Sequence, residues 1–302
     1  MQWDQALHLF ATYQRAGGLS EKTIHNRADC LHMLAHRSGR EPLTVTKLDM
    51  LELLGRNHAR TGEPVSAGTK QAERSYLQTF FHWLHSEGLR DDDPALTLPK
   101  IKTPRRKARP LRFAQIEDML DSGAYRRTRD IITICALTGL RIGEVVKIRG
   151  EDVDVVNGTI RSIRKGHLDH INSIPPEIVE LASRYPRHGW WFPSPYKNSQ
   201  FPNGGGHILM KSASDRVSRA IRRIGITDHN ITAHSLRHFY ATTLLRQGVP
   251  IRVVQEMMGH ASLNTTQLYA EVTEEDMSAG AAVLPIIGHR PQSGRAHGRI
   301  AA

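Results

Sequence analysis

The chain has 302 residues, enough for two domains with cores of their own. An apolar share of 39%, with 24 glycines besides, is that of a globular protein and excludes wholesale disorder or a fibre. The longest uncharged, largely apolar run near the middle, Ile131–Leu140, is ten residues, well short of the ~20 a membrane-spanning helix needs, while 41 Lys and Arg against 30 Asp and Glu leave +11, the electrostatic footprint of a nucleic-acid partner.

The opening MQWDQALHLF lacks the basic start, apolar block and small-residue cleavage site of a secretory signal, so a cytoplasmic location is expected. Cys30 and Cys135 are too few and too far apart for a disulfide framework or a cysteine-based zinc site, and both are expected as reduced core thiols.

In chain order, helices are expected over 2–16, 20–37, 46–59 and 66–87. Gly17-Gly18 ends the first and Ser20 can cap the second. Thr46 with Asp49 resembles a capping box for the third, and Gly88 ends the fourth after Phe80, Phe81 and Trp83. Asp91-Asp92-Asp93 is expected as a loop or helix end rather than a metal site, because adjacent carboxylates in an extended turn point in different directions. From Lys100 to Arg112 there are seven basic residues and no acidic one. Pro99, Pro104 and Pro110 keep this stretch extended, so it suits a linker able to track a phosphate backbone; a solvated hinge is the bland alternative. Beyond Leu111, helices are expected at 113–121 and 127–139, with a short one through Arg141–Ile148. A β section over 153–174 has turns at Asn157-Gly158 and Lys165-Gly166 and makes a small antiparallel sheet. Helices return at 176–184, 212–224, 234–247, 251–258 and 262–272, and a Gly/Arg/Ala-rich stretch from Ile287 is expected to be a mobile basic tail. The fold class is mainly α with a small antiparallel β-sheet.

No phosphate-binding G-x-x-x-x-G-K-[ST], dinucleotide G-x-G-x-x-G or zinc-protease H-E-x-x-H occurs. The segment Ala233–His238 puts His234, Arg237 and His238 on one helical face. A metal pair is disfavoured: no acidic ligand is near, Ser235 stands where a catalytic Glu would be needed, and Arg237 repels a cation. A guanidinium beside an imidazole suits an anion, for instance two oxygens of a phosphodiester. TGLRIGE offers a second arginine, Arg141, with Glu144 three residues on to orient it, although a silent surface ion pair would look the same. MGHASLNTTQLY places His260 just after a helix-ending glycine and Tyr269 nine residues later.

Taken in order, Arg141, Lys165, His234, Arg237, His260 and Tyr269, within the strings TGLRIGE, AHSLRHFYATTLL and MGHASLNTTQLYAEV, resemble the tyrosine recombinase (phage integrase) family. The resemblance covers about residues 110–275, and the helical start resembles the family's core-binding domain. It implies a core-binding domain over 1–98, a basic linker over 99–110, a catalytic domain over 111–286 and a tail over 287–302. It further implies that Tyr269 attacks the scissile phosphate to give a 3′-phosphotyrosyl link and a free 5′-hydroxyl. Arg141 and Arg237 would stabilise the added charge on phosphorus, with a hydrogen bond from His260 to a non-bridging oxygen. Lys165 would serve as general acid, with His234 assisting proton transfer. Lys165 is the weakest match, since His167-Leu-Asp-His170 follows where a more basic stretch is usual, and Lys147 is the fallback. No cofactor or metal is implied. The implied partners are double-stranded DNA recombination sites and a tetramer on DNA, either of this chain alone or with a second recombinase, in which Thr273–Leu284 could dock on a neighbour. The chain looks Xer-like, without an arm-binding domain. Two alternatives stay open: a type IB topoisomerase-like enzyme and a non-catalytic architectural DNA-binding protein. Lys22, His25, Arg27, Lys70 and Arg74 could face DNA or simply solvent.

Overall fold

The computed structural model describes residues 1–103, 109–163 and 169–259. The chain divides into two compact units, Met1–Arg105 and Arg106–Ala302. Lys165, His260, Tyr269, the helix expected at 262–272, the segment Thr273–Leu284 and the tail lie outside the described residues.

The first unit holds four helices: α1 (Trp3–Ala16), α2 (Glu21–Ser38), α3 (Lys47–Gly55) and α4 (Ala67–Ser86). Their starts follow local chemistry. The Ser20 hydroxyl accepts the Thr23 amide at 3.3 Å, and Thr46 and Asp49 form a reciprocal capping box, with the Thr46 amide donating to the Asp49 carboxylate at 2.7 Å. Phe10, Leu31, Leu34, Met50, Leu77, Phe80, Phe81 and Leu84 close the core, with Phe10 and Phe80 edge-to-face at 5.2 Å.

Helix α3 ends at Gly55, short of the expected residue 59, because Arg56 leaves helical geometry at ψ 160°. Its guanidinium turns inward to grip the Glu73 carboxylate through two bonds of 2.7 and 2.6 Å, and Asn57 then pairs antiparallel with Pro64. Two of the basic residues considered for DNA contact are tied down inside this unit. Arg27 donates to the Gln14 side chain at 2.7 Å, and Arg74 donates twice to the Leu98 carbonyl. Both cysteines are buried and unbridged, and burial pushes each thiol pKa up to about 12.

The second unit is built around α6 (Arg126–Thr138), which packs against α5 (Phe113–Asp121), α8 (Pro176–Ala182), α9 (Met210–Arg223) and α10 (His234–Arg246). Ile131, Ile132, Ile134 and Cys135 of α6 are buried among Val217, Ile221 and Leu236 of the surrounding helices. Helix α11 (Ile251–Met258) leans on α10 through Tyr240, Ala241, Val254 and Met258.

The short helix expected over 141–148 is a single turn, α7 (Ile142–Val145). After it the chain tightens into bonds spanning three residues, Lys147 to Glu144 and Ile148 to Val145, which cannot continue an α-helix. The expected sheet is present as β1 (Val153–Asp154), β2 (Thr159–Ile163) and β3 (Asp169–Ser173), antiparallel in the order β1-β2-β3, with Thr159 opposite Ser173 and Ile163 opposite Asp169. Inward-facing positions of the β2–β3 ladder include polar residues. Ser162 and Asn172 are buried, whereas Ile163 and Ile171 point outward at 57% and 65% exposure.

Candidate active site

The site is assembled where three chain segments meet. The first is the end of α6. Gly139 takes the left-handed φ of 66° that terminates the helix, and any Cβ there would run into the Tyr240 ring. The turn delivers Arg141 to the N-cap of α7, where the Arg141 amide donates to Glu144 at 2.9 Å and its guanidinium pairs with the same carboxylate at 3.0 Å. The Glu144 side chain is 10% exposed and that of Arg141 43%, so a mostly buried anion aims a half-exposed cation outward. This is more than a solvated surface pair, and Glu144 takes the orienting role expected for it.

The second segment is the start of α10. Ser235 turns back so that its hydroxyl accepts the Thr232 amide at 3.2 Å, which sets the first turn. The rings of His234 and His238 meet edge-to-face with centroids 4.6 Å apart. Arg237, on the same face, is 1% exposed. It is not the open fork that the spacing alone implied, since one terminal nitrogen donates to the Gly139 carbonyl and the other to the Met258 carbonyl. Buried arginines need partners of this kind, because an uncompensated charge in the interior costs several kcal/mol. Arg237 thereby ties the turn before Arg141 to the end of α11, the third segment. That helix is closed by Gly259 at φ 54°, one residue before His260.

Electrostatics follow from this crowding. Burial, then the charges of Arg237 and Arg141, hold the His234 pKa below its ordinary value. Burial, then His234 and Arg237, push His238 down to about 4. Both imidazoles are therefore neutral at pH 7, and a neutral His234 beside two guanidinium groups can accept a proton while they attract an anion. Lys147 is exposed and lies within Coulomb reach of His207, which it and Arg149 disfavour as a cation after burial has done so more strongly.

Two features near the site escaped the sequence. One is the stretch from 183 to 209 between α8 and α9, where His207, 3% exposed, sits edge-on to Trp190 and Phe201. There Arg149 stacks over Trp190 at 4.1 Å. Scattered aromatics without periodicity carry no element signal. The other is the pair His170 and Asn172 on β3. Asn172 donates to the Thr138 carbonyl at 3.4 Å, and His170 meets both Asn172 and the Met257 carbonyl. Polar residues at alternate strand positions were the available clue. Among the described residues, no group of three or more His, Cys, Asp or Glu side chains could hold a metal ion, and no helix is long and apolar enough to cross a membrane.

A helical platform that buries one arginine and presents another beside two neutral imidazoles suits an anionic group such as a phosphodiester. Residues 109–276 match the phage integrase family. Tyrosine recombinase XerD of Yersinia pestis is 32% identical over 209 residues, covering 67% of this chain and 70% of that protein. XerD of Proteus mirabilis is 30% identical over 241 residues, covering 77% and 76%. In fold, the chain is similar to the Tn1549 transposon integrase in complex with a circular intermediate DNA, with TM-score 0.69, 19% identity and 94% and 100% of the two chains covered. It is likewise similar to a λ integrase dimer bound to a COC′ core site, with TM-score 0.68, 16% identity and coverage of 88% and 97%. The chain belongs to the phage integrase family. It is a site-specific DNA recombinase of the tyrosine type.

Proposed function

We propose that this chain cuts and rejoins double-stranded DNA at specific sites, with Tyr269 as nucleophile and Arg141, Lys165, His234, Arg237 and His260 as its active-site partners. The Tyr269 oxygen attacks the scissile phosphorus and the phosphorus–O5′ bond breaks. A 3′-phosphotyrosyl link is left, and Lys165 gives its proton to the departing O5′. His234, neutral before DNA arrives, takes the phenolic proton. A free phenol titrates near ~10, so attack at neutral pH needs such an acceptor. Arg141 and Arg237 stabilise the charge that builds on the non-bridging oxygens, and His260 donates to one of them. The phosphodiester bond energy is kept in the protein–DNA link, so a 5′-hydroxyl from a second duplex can reverse the attack and complete strand exchange. Exchange between two duplexes fits a tetramer of this chain, or one shared with a second recombinase, with Thr273–Leu284 docking between protomers. The basic linker over 99–110 would track the phosphate backbone.

The observation that supports this reading is the Arg237 clamp, which ties the Gly139 carbonyl, two residues before Arg141, to the Met258 carbonyl at the end of α11. The test is to incubate the protein with sheared DNA of its host and replicons, denature, and sequence the protein-linked fragments. Two labelled duplexes bearing the recovered site are then offered together. Adducts at one repeated sequence, followed by exchange of label, support the proposal; scattered adducts without exchange point instead to topoisomerase-like relaxation.

A further inference from the structure

On the inner face of the β2–β3 hairpin, a polar pair is held where an apolar one would ordinarily sit. Asn172 is 3% exposed, while Ile171 beside it points outward at 65%. Burying an amide costs a few kcal/mol unless each of its polar atoms is satisfied, so the Asn172 contacts define its role. His170 Nε2 lies 2.7 Å from Asn172 Oδ1 and 3.3 Å from the Met257 carbonyl oxygen. Both neighbours are acceptors, so Nε2 carries the hydrogen. With its oxygen turned to His170, Asn172 presents its Nδ2 to the Thr138 carbonyl at 3.4 Å.

The two carbonyls taken by this pair, Thr138 and Met257, are each one residue before the two taken by Arg237, Gly139 and Met258. Two consecutive peptides at the end of α6 and two at the end of α11 are thus gripped by two independent donor systems. One is the guanidinium from α10; the other is the imidazole–amide pair from β3. Directly across the hairpin from His170 is Ser162, 7% exposed, whose hydroxyl has no hydrogen-bond partner among the described residues. The polar lining therefore continues onto β2.

We propose that His170 and Asn172 are positioning residues of the active site. Together they fix the peptide leading to Arg141 against the end of α11, and so hold the Arg141 and Arg237 charges in register for the scissile phosphate. The proposal rests on the recombinase reading. It assigns these side chains no contact with DNA and no proton to transfer.

Asn172→Leu removes both bonds with nearly unchanged volume and leaves the Thr138 carbonyl without this donor, so a thermal midpoint lower by roughly 2–12 °C is expected. Single-turnover adduct formation is measured on a nicked duplex of the recovered site that cannot religate. One form carries a normal scissile phosphodiester and the other a methylphosphonate, whose missing anionic oxygen relaxes the need for two aligned guanidinium groups. The expected result is roughly tenfold slower cleavage of the phosphodiester and less than about twofold slowing on the methylphosphonate. His170→Gln, which keeps a donor, should restore most of the rate lost in His170→Ala, and this pair carries the test if Asn172→Leu does not fold. Wild-type cleavage by Asn172→Leu, or equal losses on both substrates, overturns the inference alone. Absence of a Tyr269-dependent adduct from the wild-type protein overturns the recombinase reading, and the inference with it.

Discussion

Replacing Arg237 by lysine keeps a buried positive charge but removes the fork that spans two carbonyls. In the native protein the side chain is 1% exposed, and its two terminal nitrogens serve Gly139 and Met258. A lysine ammonium is a point charge on an unbranched stem and reaches one of them. The variant loses one charge-assisted bond and strands a buried carbonyl, a net cost of roughly 2–3 kcal/mol. For a unit of this size each kcal/mol moves the midpoint by ~2–4 °C, so its thermal transition falls by roughly 4–12 °C. The peptide that leads to Arg141 is released as well. A displacement of about 1 Å at a reacting centre costs on the order of 10²-fold in rate, and covalent-adduct formation should fall by about that factor. Differential scanning calorimetry and a single-turnover cleavage assay on the same preparation read both effects. If Arg237→Lys melts with the wild-type midpoint, the two carbonyls are not what the guanidinium holds, and the clamp is refuted.

Gly139→Ala forces a left-handed φ on an alanine and drives its Cβ into the Tyr240 ring; a loss of about 2–4 kcal/mol is expected in denaturant unfolding, and Tyr240→Ala in the same chain should recover part of it. His238 titrates near 4 when folded, against about 6.5 when unfolded. The unfolded chain therefore binds the proton first, so the contribution is complete above pH 6.5 and is lost as pH falls towards 4. Roughly 2–3 kcal/mol should disappear across that window. His238→Gln should flatten the dependence, and an unaltered slope would show that this imidazole does not cause it. In the first unit, Glu73→Gln leaves the Arg56 charge without its counter-ion where the side chains are 11% and 9% exposed. Unfolding in guanidinium chloride should show about 3–5 kcal/mol lost; a change under about 1 kcal/mol would mean water already reaches the pair.

Much of this architecture is legible in the chain because local chemistry and tertiary packing agree. Ser20, the Thr46–Asp49 box and Gly139 each end or begin a helix for reasons contained within four residues. The placement of His234, Arg237 and His238 on one face follows from helical spacing alone, as does the pairing of Arg141 with Glu144. What could not be read depends on partners distant in sequence. Helix α3 stops at Gly55 because Arg56 finds Glu73 on α4. That Arg237 also grips the carbonyls of Gly139 and Met258, on two other segments, leaves no mark in its helical spacing. The inversion of polarity along β3 is visible as His170 and Asn172 flanking Ile171, but which face is inward is decided by α6 and α11. The family motifs identified the chemistry from one-dimensional spacing, where single residues such as Tyr269 would have carried no signal.

The most direct measurement of the central claim is covalent capture at Tyr269. Wild-type and Tyr269→Phe proteins are incubated with a nicked duplex of the recovered site, denatured in detergent, and digested for mass spectrometry of any peptide–DNA adduct. An adduct through the Tyr269 oxygen to a 3′-phosphate is expected with wild type, and none with Tyr269→Phe although that variant still binds the duplex. An adduct that persists in Tyr269→Phe, or one mapped to another side chain, would contradict the central claim.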